Sequence, residues 1–368
     1  MRVLIVPDKF KGTLTAKQAA EAIAAGWRAA RPLDELELLP MSDGGDGYAE
    51  VFGSMLGARQ QMVQTVDAAH QPRAASWWFS SESKVAVVET AQSNGLALLP
   101  PGKFHPFQLD TWGVGELLKD AARQGARTCY AGVGGSATND GGFGMARALG
   151  WKFIDHAGRE IAEWTKLEDL KTIHPPSRRL FDEVWVANDV QNPLLGIQGA
   201  SRIYGPQKGL KQADFALAEA CLGGLAEVCR GQFGIDYAAI PGAGAAGGLG
   251  FGMVAFAGGK FRPGFELFAE VAHLDGRIGK ADLVISAEGA IDEQTAMGKG
   301  VGGVAVLCAK QAKPCFGLAG ALLLKEAGPF TKSLGIYPHL TESTDRAKAE
   351  ASVLLAQLAE RAARDFKP

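Results

Sequence analysis

Short apolar runs rich in Val, Ile and Leu alternate along this chain with longer stretches in which apolar residues recur every three or four positions. That alternation predicts an α/β protein built on a parallel sheet. The start of the chain shows it best. Val3 to Val6 predicts a strand, Thr15 and Gln18 have the spacing of a capping box, and Ala19, Ile23, Ala24 and Trp27 fall at helical intervals before Arg31-Pro32 ends the segment. Further strands are predicted at Leu36 to Leu39, Thr128 to Val133, Val184 to Ala187, Leu283 to Ala287 and Cys315 to Ala319, most of them leading into a glycine-containing loop. Between Gln61 and Glu89 the pattern shortens and predicts antiparallel strands joined by turns. The stretch from Asp155 to Arg179, with Pro175-Pro176 and little periodicity, is expected to be a loop excursion over a cleft, and Ala347 to Arg364 reads as an amphipathic helix.

Composition changes this picture in a few places. At roughly 150 residues per domain, 368 residues predict two to three domains. Apolar residues at 47% and charged residues at 21% are ordinary globular values and exclude wholesale disorder. The 48 glycines, about 13% of the chain against a usual value of about 7%, stand out and must serve local purposes. A net charge of −2 offers no footprint for nucleic acid or an anionic membrane surface. No apolar run reaches about 18 residues, so no membrane association is expected, and the protein reads as cytoplasmic. Five cysteines without a C-x-x-C pair predict small core residues, not disulfides or a zinc knuckle.

Acidic residues and glycines gather just past the predicted carboxyl ends of several strands: Asp8, then Asp43 and Asp46, Asp140, Asp189, and Glu288 with Asp292. In open α/β sheets that edge binds ligands. Crowded carboxylates repel one another unless a cation neutralises them, and a hard divalent ion such as magnesium, which takes one or two carboxylates plus phosphate oxygens, suits the pattern. The alternative for any one of these acids is a helix cap. GVGGSATNDGG, from Gly132 to Gly142, brings backbone N–H groups and the hydroxyls of Ser136 and Thr138 to a strand end, as phosphate binding requires; PGAGAAGGLGFG, from Pro241 to Gly252, offers similar backbone access. Either loop also serves if glycine merely lets chain segments pack closely. Gly132-x-Gly134-x-x-Ala137 followed by Asp155 satisfies a relaxed dinucleotide fingerprint, which keeps an NAD-dependent dehydrogenase as an alternative. No P-loop, zinc-ligand spacing or G-x-S-x-G elbow occurs. Lys11, after the first strand, is placed to meet a phosphoryl group or a carboxylate, or else is simply solvated.

Taken together, the motifs resemble the type I glycerate kinase family through nearly the whole chain. The stretches are PDKFKGTLTA at 7–16, LPMSDGGDG at 39–47, GVGGSATNDGGFGMARALG at 132–150, NDVQNPLLG at 188–196, YGPQKGL at 204–210, GAGAAGGLGFG at 242–252 and AEGAIDEQTAMGKG at 287–300. The resemblance implies transfer of the ATP γ-phosphoryl group to a hydroxyl of D-glycerate with Mg2+. It also implies a Rossmann-like parallel-sheet domain with a second α/β domain inserted and a cleft between them. The expected division is 1–60 with 275–368 for the host and 61–274 for the insert. Matching positions are Lys11, Asp43, Gly44 and Gly45, then Ser136, Thr138, Asn139 and Asp140, then Asp189 and Asn192, and Glu288 and Asp292; Gly134, Gly135, Gly244 and Gly247 are the candidate phosphate-binding glycines of the two loops. Lys9, Asp46, Gln191, Trp112 and Ala290 depart from the family pattern, and Ala290 stands where it has arginine.

Phosphoryl transfer needs in-line positioning, charge neutralisation and a group that orients the attacking hydroxyl. The expected division of labour has backbone N–H groups of Gly132 to Ser136 or of the 242–252 loop cradling phosphates. Asp189 or Asp292 holds magnesium, Lys11 balances developing charge, and Asp43 or Asp140 orients or deprotonates the glycerate hydroxyl. A catalytically impaired binding paralogue, suggested by Ala290, is the other alternative. Oligomeric state and the phosphorylated hydroxyl stay open.

Overall fold

The structure, a computed structural model, describes residues 1–296, 300–324 and 328–366. The chain divides into two compact units, Met1–Asp43 with Phe265–Pro368, and Gly44–Gly264. Its described strands are β1 (Arg2–Pro7), β2 (Glu35–Leu38), β3 (Arg59–Val66), β4 (Pro72–Ser80), β5 (Val85–Glu89), β6 (Thr128–Gly132), β7 (Lys152–Asp155), β8 (Leu170–His174), β9 (Glu183–Ala187), β10 (Gly259–Arg262), β11 (Leu283–Ile291), β12 (Cys315–Leu322) and β13 (Lys332–Gly335).

The first unit carries a wholly parallel sheet in the order β13-β12-β11-β1-β2. β1 and the first half of β11 are almost entirely buried, as unbroken apolar runs in the middle of a parallel sheet should be, whereas ELEL of β2 forms a largely exposed edge. The capping box forms as expected: Gln18 N–H donates to Thr15 Oγ1 at 3.2 Å and Thr15 N–H to Gln18 Oε1 at 2.9 Å, opening the helix Ala16–Ala30. That helix packs on the C-terminal helix Ala351–Asp365 so closely that a Cβ at Gly26 would collide with the Ala356 carbonyl. The predicted C-terminal helix is broken at Glu350, with a short helix Thr344–Ala349 before it.

In the second unit a six-stranded sheet runs β10-β9-β6-β5-β4-β3. The first four strands are mutually parallel, and β4 and β3 are antiparallel, as the shortened pattern between 61 and 89 predicts. The helix Tyr48–Met55 packs on β4 and β5, which places residues 44–60 in this unit instead of with the host. The other junction falls at 264/265, where the sequence suggests 274/275; Phe265 packs against Gly303 of the first unit. The expected loop over 155–179 is in part ordered structure: a 3-10 helix at Trp164–Asp169 leads into β8, which pairs with β7. Trp164, Leu167, Leu170 and Ile173 are buried there, with Leu167 and Ile173 seated on the helix Phe215–Phe233. Their spacing over a 3-10 turn and a short strand gives no clean period, which hides the segment from a periodicity reading. All five cysteines are buried and unpaired.

Candidate active site

The register of the first sheet sets Pro7 of β1 opposite Ala287 of β11, so Asp8 and Glu288 follow at the same level of two neighbouring strands. Asp8 is buried, and burial together with the charge of Asp43 pushes its carboxyl up to about 7, against an N–H donated by Lys9 at 2.7 Å. Burial also pushes Glu288 up to about 7, with Asp8, Asp292 and Asp43 adding to the effect and the Thr295 hydroxyl, donating at 2.6 Å, opposing it. Thr295 N–H in turn donates to Asp292 Oδ1 at 3.3 Å. Four carboxylates of the first unit therefore share one electrostatic neighbourhood, and like charges so placed cannot all ionise cheaply. Among the described residues no three His, Cys, Asp or Glu side chains form a closed metal cage. Magnesium does not need one, because it keeps waters and phosphate oxygens in its shell, and the all-oxygen donor set here fits it.

Lys11 is exposed in a turn closed by Phe10 N–H to Leu14 O at 2.9 Å and Leu14 N–H to Phe10 O at 3.0 Å. The turn lies on β11: a Cβ at Gly289 would stand 3.3 Å from Lys11 N. Ala290, next along β11, is exposed. Met297, Gly298 and Lys299 of the last family stretch lie outside the described residues.

In the second unit, Glu89, Gly132 and Ala187 stand in register at the carboxyl ends of β5, β6 and β9. The chain leaving β6 turns at Gly134 and at Gly135, which has a φ of 76° and is exposed. Neither the Gly135 nor the Ser136 N–H finds an acceptor among the described residues. Gly44 and Gly45 press on this turn: Gly134 N–H donates to Gly44 O at 3.3 Å, and a Cβ at Gly134 would sit 3.0 Å from Gly45 Cα.

Beyond the turn, every predicted polar residue is buried and engaged. Thr138 Oγ1 accepts from Asn94 Nδ2 at 3.4 Å, and Asn139 Nδ2 donates to Ser201 Oγ at 2.9 Å. Asp140 is fully enclosed; its carboxylate accepts from Thr111 N–H (2.9 Å), Thr111 Oγ1 (2.8 Å), Gly144 N–H (2.9 Å) and Gly142 N–H (3.2 Å). Burial first, and Asp110 second, push it up to about 6. With those donors Asp140 anchors the start of the helix Phe143–Ala148. Asn94 Oδ1, Asn139 Oδ1 and Thr90 Oγ1, all buried nearby in sequence or contact, find no partner among the described residues.

Sequence reasoning passed over Lys208. Its ammonium is buried, donates to Ser136 Oγ at 2.8 Å and to Thr138 O at 2.6 Å, and is drawn down to about 7 by burial, with Asp140 opposing. Its only sequence signal is its place in YGPQKGL, where a lysine ahead of a glycine helix stop looks like an ordinary last-turn cation.

Gly244 and Gly247 are set by packing. Gly244 N–H donates to Asn192 O at 2.9 Å, and at Gly247, with a φ of 71°, a Cβ would collide with the Thr138 carbonyl. Asn192 binds Gln198 O and the Tyr204 hydroxyl through its side chain. Asp189 Oδ1 accepts the Gly264 N–H at 2.9 Å. Asp155, the acid a dinucleotide ribose would require, is occupied by Ala157 N–H, Arg159 N–H and Arg159 Nε, each within 2.9 Å.

Comparison with known proteins shows the family. The sequence pattern of the glycerate kinase family matches residues 3–367. A glycerate kinase of Halalkalibacterium halodurans is 39% identical over 326 residues, covering 87% of this chain and 85% of its own. Glycerate 2-kinase of Escherichia coli K12 is 38% identical, covering 88% and 86%. A crystal structure from Salmonella typhimurium LT2 carrying the name glycerate kinase 2 superposes with a TM-score of 0.86 at 33% identity, over 99% of this chain and 97% of that one. On a match that spans almost every residue, and on the α/β fold described above, the chain belongs to the glycerate kinase family.

Proposed function

We propose that the protein transfers the γ-phosphoryl group of magnesium-ATP to the 2-hydroxyl of D-glycerate. Family membership supports the reaction class, and the name of the Escherichia coli relative supports the 2-position. The observation that carries the reading is the acidic group Asp8, Asp43, Glu288 and Asp292 at the carboxyl ends of parallel strands, where two carboxyls are held near 7 by burial and mutual repulsion. Such a group gains most from a divalent cation.

Glu288 and Asp292 would hold the magnesium ion, which when bound neutralises phosphate charge and supplies Lewis acidity. The turn at the exposed Gly135 and the buried Ser136 donates its two N–H groups to phosphate oxygens, and Lys208 holds that turn by its bonds to Ser136 and Thr138. Lys11, exposed on its turn, contributes a positive charge to the phosphoryl group in transfer. Asp43 accepts the proton of the attacking hydroxyl. Asp140, saturated by four donors, positions the loop and takes no proton from substrate. In the second unit, the negative charge of Asp189 takes part in the reaction, while its Oδ1 accepts the Gly264 N–H.

An ADP-release assay with magnesium-ATP and D-glycerate tests the reading, with enolase added to report the isomer, because enolase consumes 2-phosphoglycerate and not 3-phosphoglycerate. ADP formation that depends on both substrates and yields an enolase substrate is expected. Saturable ATP binding without ADP release would overturn it in favour of an impaired paralogue, and Ala290→Arg would then restore turnover.

A further inference from the structure

A cavity of about 670 Å3 opens in the second unit among the segment leading into β9, the end of the helix Ala245–Ala257 and the first residues of β10. β9 and β10 are parallel, with Val184 opposite Gly259 and Ala187 opposite Arg262, so this cavity borders the N-terminal ends of strands whose carboxyl ends lead to Asn188 and Asp189. A five-residue strand spans roughly 16 Å. A molecule in the cavity therefore stands off from the phosphoryl-transfer residues of this unit.

Two features define what it accepts. Trp151, Phe233, Tyr237 and Phe256 form an aromatic wall. Trp151 meets Phe233 and Phe256 edge-on at 5.9 and 5.2 Å between centroids, and its Nε1 donates to Phe256 O at 3.1 Å, so the rings are fixed. Trp151, Phe233 and Tyr237 nevertheless stay partly exposed. Arg178, Arg179 and Lys260 line the same cavity and no acidic residue does. Among the described residues none of the three has a carboxylate partner, and Lys260 Nζ rests 5.3 Å over the Trp185 ring. The volume lies in the range of small-molecule sites. Half-covered rings offer a flat apolar surface, and guanidinium groups without partners offer forked donors for an oxyanion.

We propose that this cavity is a second ligand site, separate from the phosphoryl-transfer machinery, for a small organic anion with a planar apolar body and a carboxylate or phosphate head. The inference does not depend on the kinase reading, because dye binding and ADP release are measured apart.

The probe is 8-anilinonaphthalene-1-sulfonate, titrated by fluorescence against the full chain, with uncharged N-phenyl-1-naphthylamine as its partner. One sulfonate dye per chain should bind, at least tenfold tighter than the uncharged dye. Arg178→Glu with Lys260→Glu, both at exposed positions, should weaken the sulfonate at least tenfold and leave the uncharged dye and ADP release unchanged; Arg179→Gln repeats the test with a smaller perturbation. Phenyl phosphate displacing the dye better than phenylacetate identifies a phosphate head, and the reverse order a carboxylate. Equal binding of both dyes, indifference to the substitutions, displacement by magnesium-ATP, or failure of both competitors would each overturn the proposal.

Discussion

The Lys208 ammonium donates to Ser136 Oγ at 2.8 Å inside the protein, tying the helix Ala200–Lys208 to the glycine turn that follows β6. A second bond, to Thr138 O at 2.6 Å, makes the tie bidentate. Lys208→Met removes both bonds while keeping the length of the side chain. We expect ADP release to fall by about a hundredfold, the loss of a preorganised donor set, with most of the effect in the KM for ATP if the turn cradles phosphate. Unchanged steady-state kinetics would remove Lys208 from the positioning of that turn.

Asp189→Asn separates charge from shape. Oδ1 accepts the Gly264 N–H, and asparagine keeps that acceptor. Turnover should drop by orders of magnitude while the far-UV circular dichroism and thermal midpoint stay close to the parent. An unaltered rate would show that the Asp189 charge takes no part in the reaction.

For the metal, Glu288→Gln retains the hydrogen bond from the Thr295 hydroxyl and deletes one negative charge. The magnesium concentration giving half-maximal activity should rise tenfold or more. A titration curve superimposable on the parent would place the metal elsewhere.

Stability should depend on pH through the buried pair Asp140 and Lys208. Asp140 is raised from 3.8 to about 6, so its contribution is complete below the unfolded value and is lost as pH rises through 6. Lys208 is lowered from 10.5 to about 7, so its contribution is complete above the unfolded value and is lost as pH falls through 7. These two groups together make the fold least stable between about 6 and 7, with stability rising on both sides. Urea midpoints of the parent, compared with Asp140→Asn/Lys208→Met across pH 4 to 10, should show that dip in the parent and a shallower curve in the variant.

Gly247→Ala tests the packing of the glycine loops. Gly247 has a φ of 71°, and the new methyl would meet the Thr138 carbonyl. Left-handed backbone costs about 1–2 kcal/mol for a residue with a side chain, and overpacking about 1–3 kcal/mol more. We expect a loss of several degrees in thermal midpoint. Parent-like stability would mean that the loop shifts easily.

Local sequence determined the most apolar strands, because Val/Ile/Leu-rich runs such as Val3 to Val6 and Leu283 to Ala287 have few alternatives to a buried strand, whereas β7, β8, β10 and β13 were not legible in it. It also determined the Thr15/Gln18 cap, whose partners lie three residues apart, and the placement of Asp8 and Asp292 after strand ends, whereas Glu288, expected past the end at Ala287, lies inside β11, which pairs on to Ile291. Tertiary structure alone decided which strands are neighbours, and with that the pairing of Asp8 with Glu288 through the register of β1 and β11. It also decided that Asp140 spends its charge on a helix start and Thr111, and that Lys208 points inward to Ser136 across 72 positions of sequence. The physical reason is the same throughout. Periodicity and capping are short-range preferences written into neighbouring residues, whereas desolvation and the sharing of a donor between distant segments exist only once the chain has closed around them.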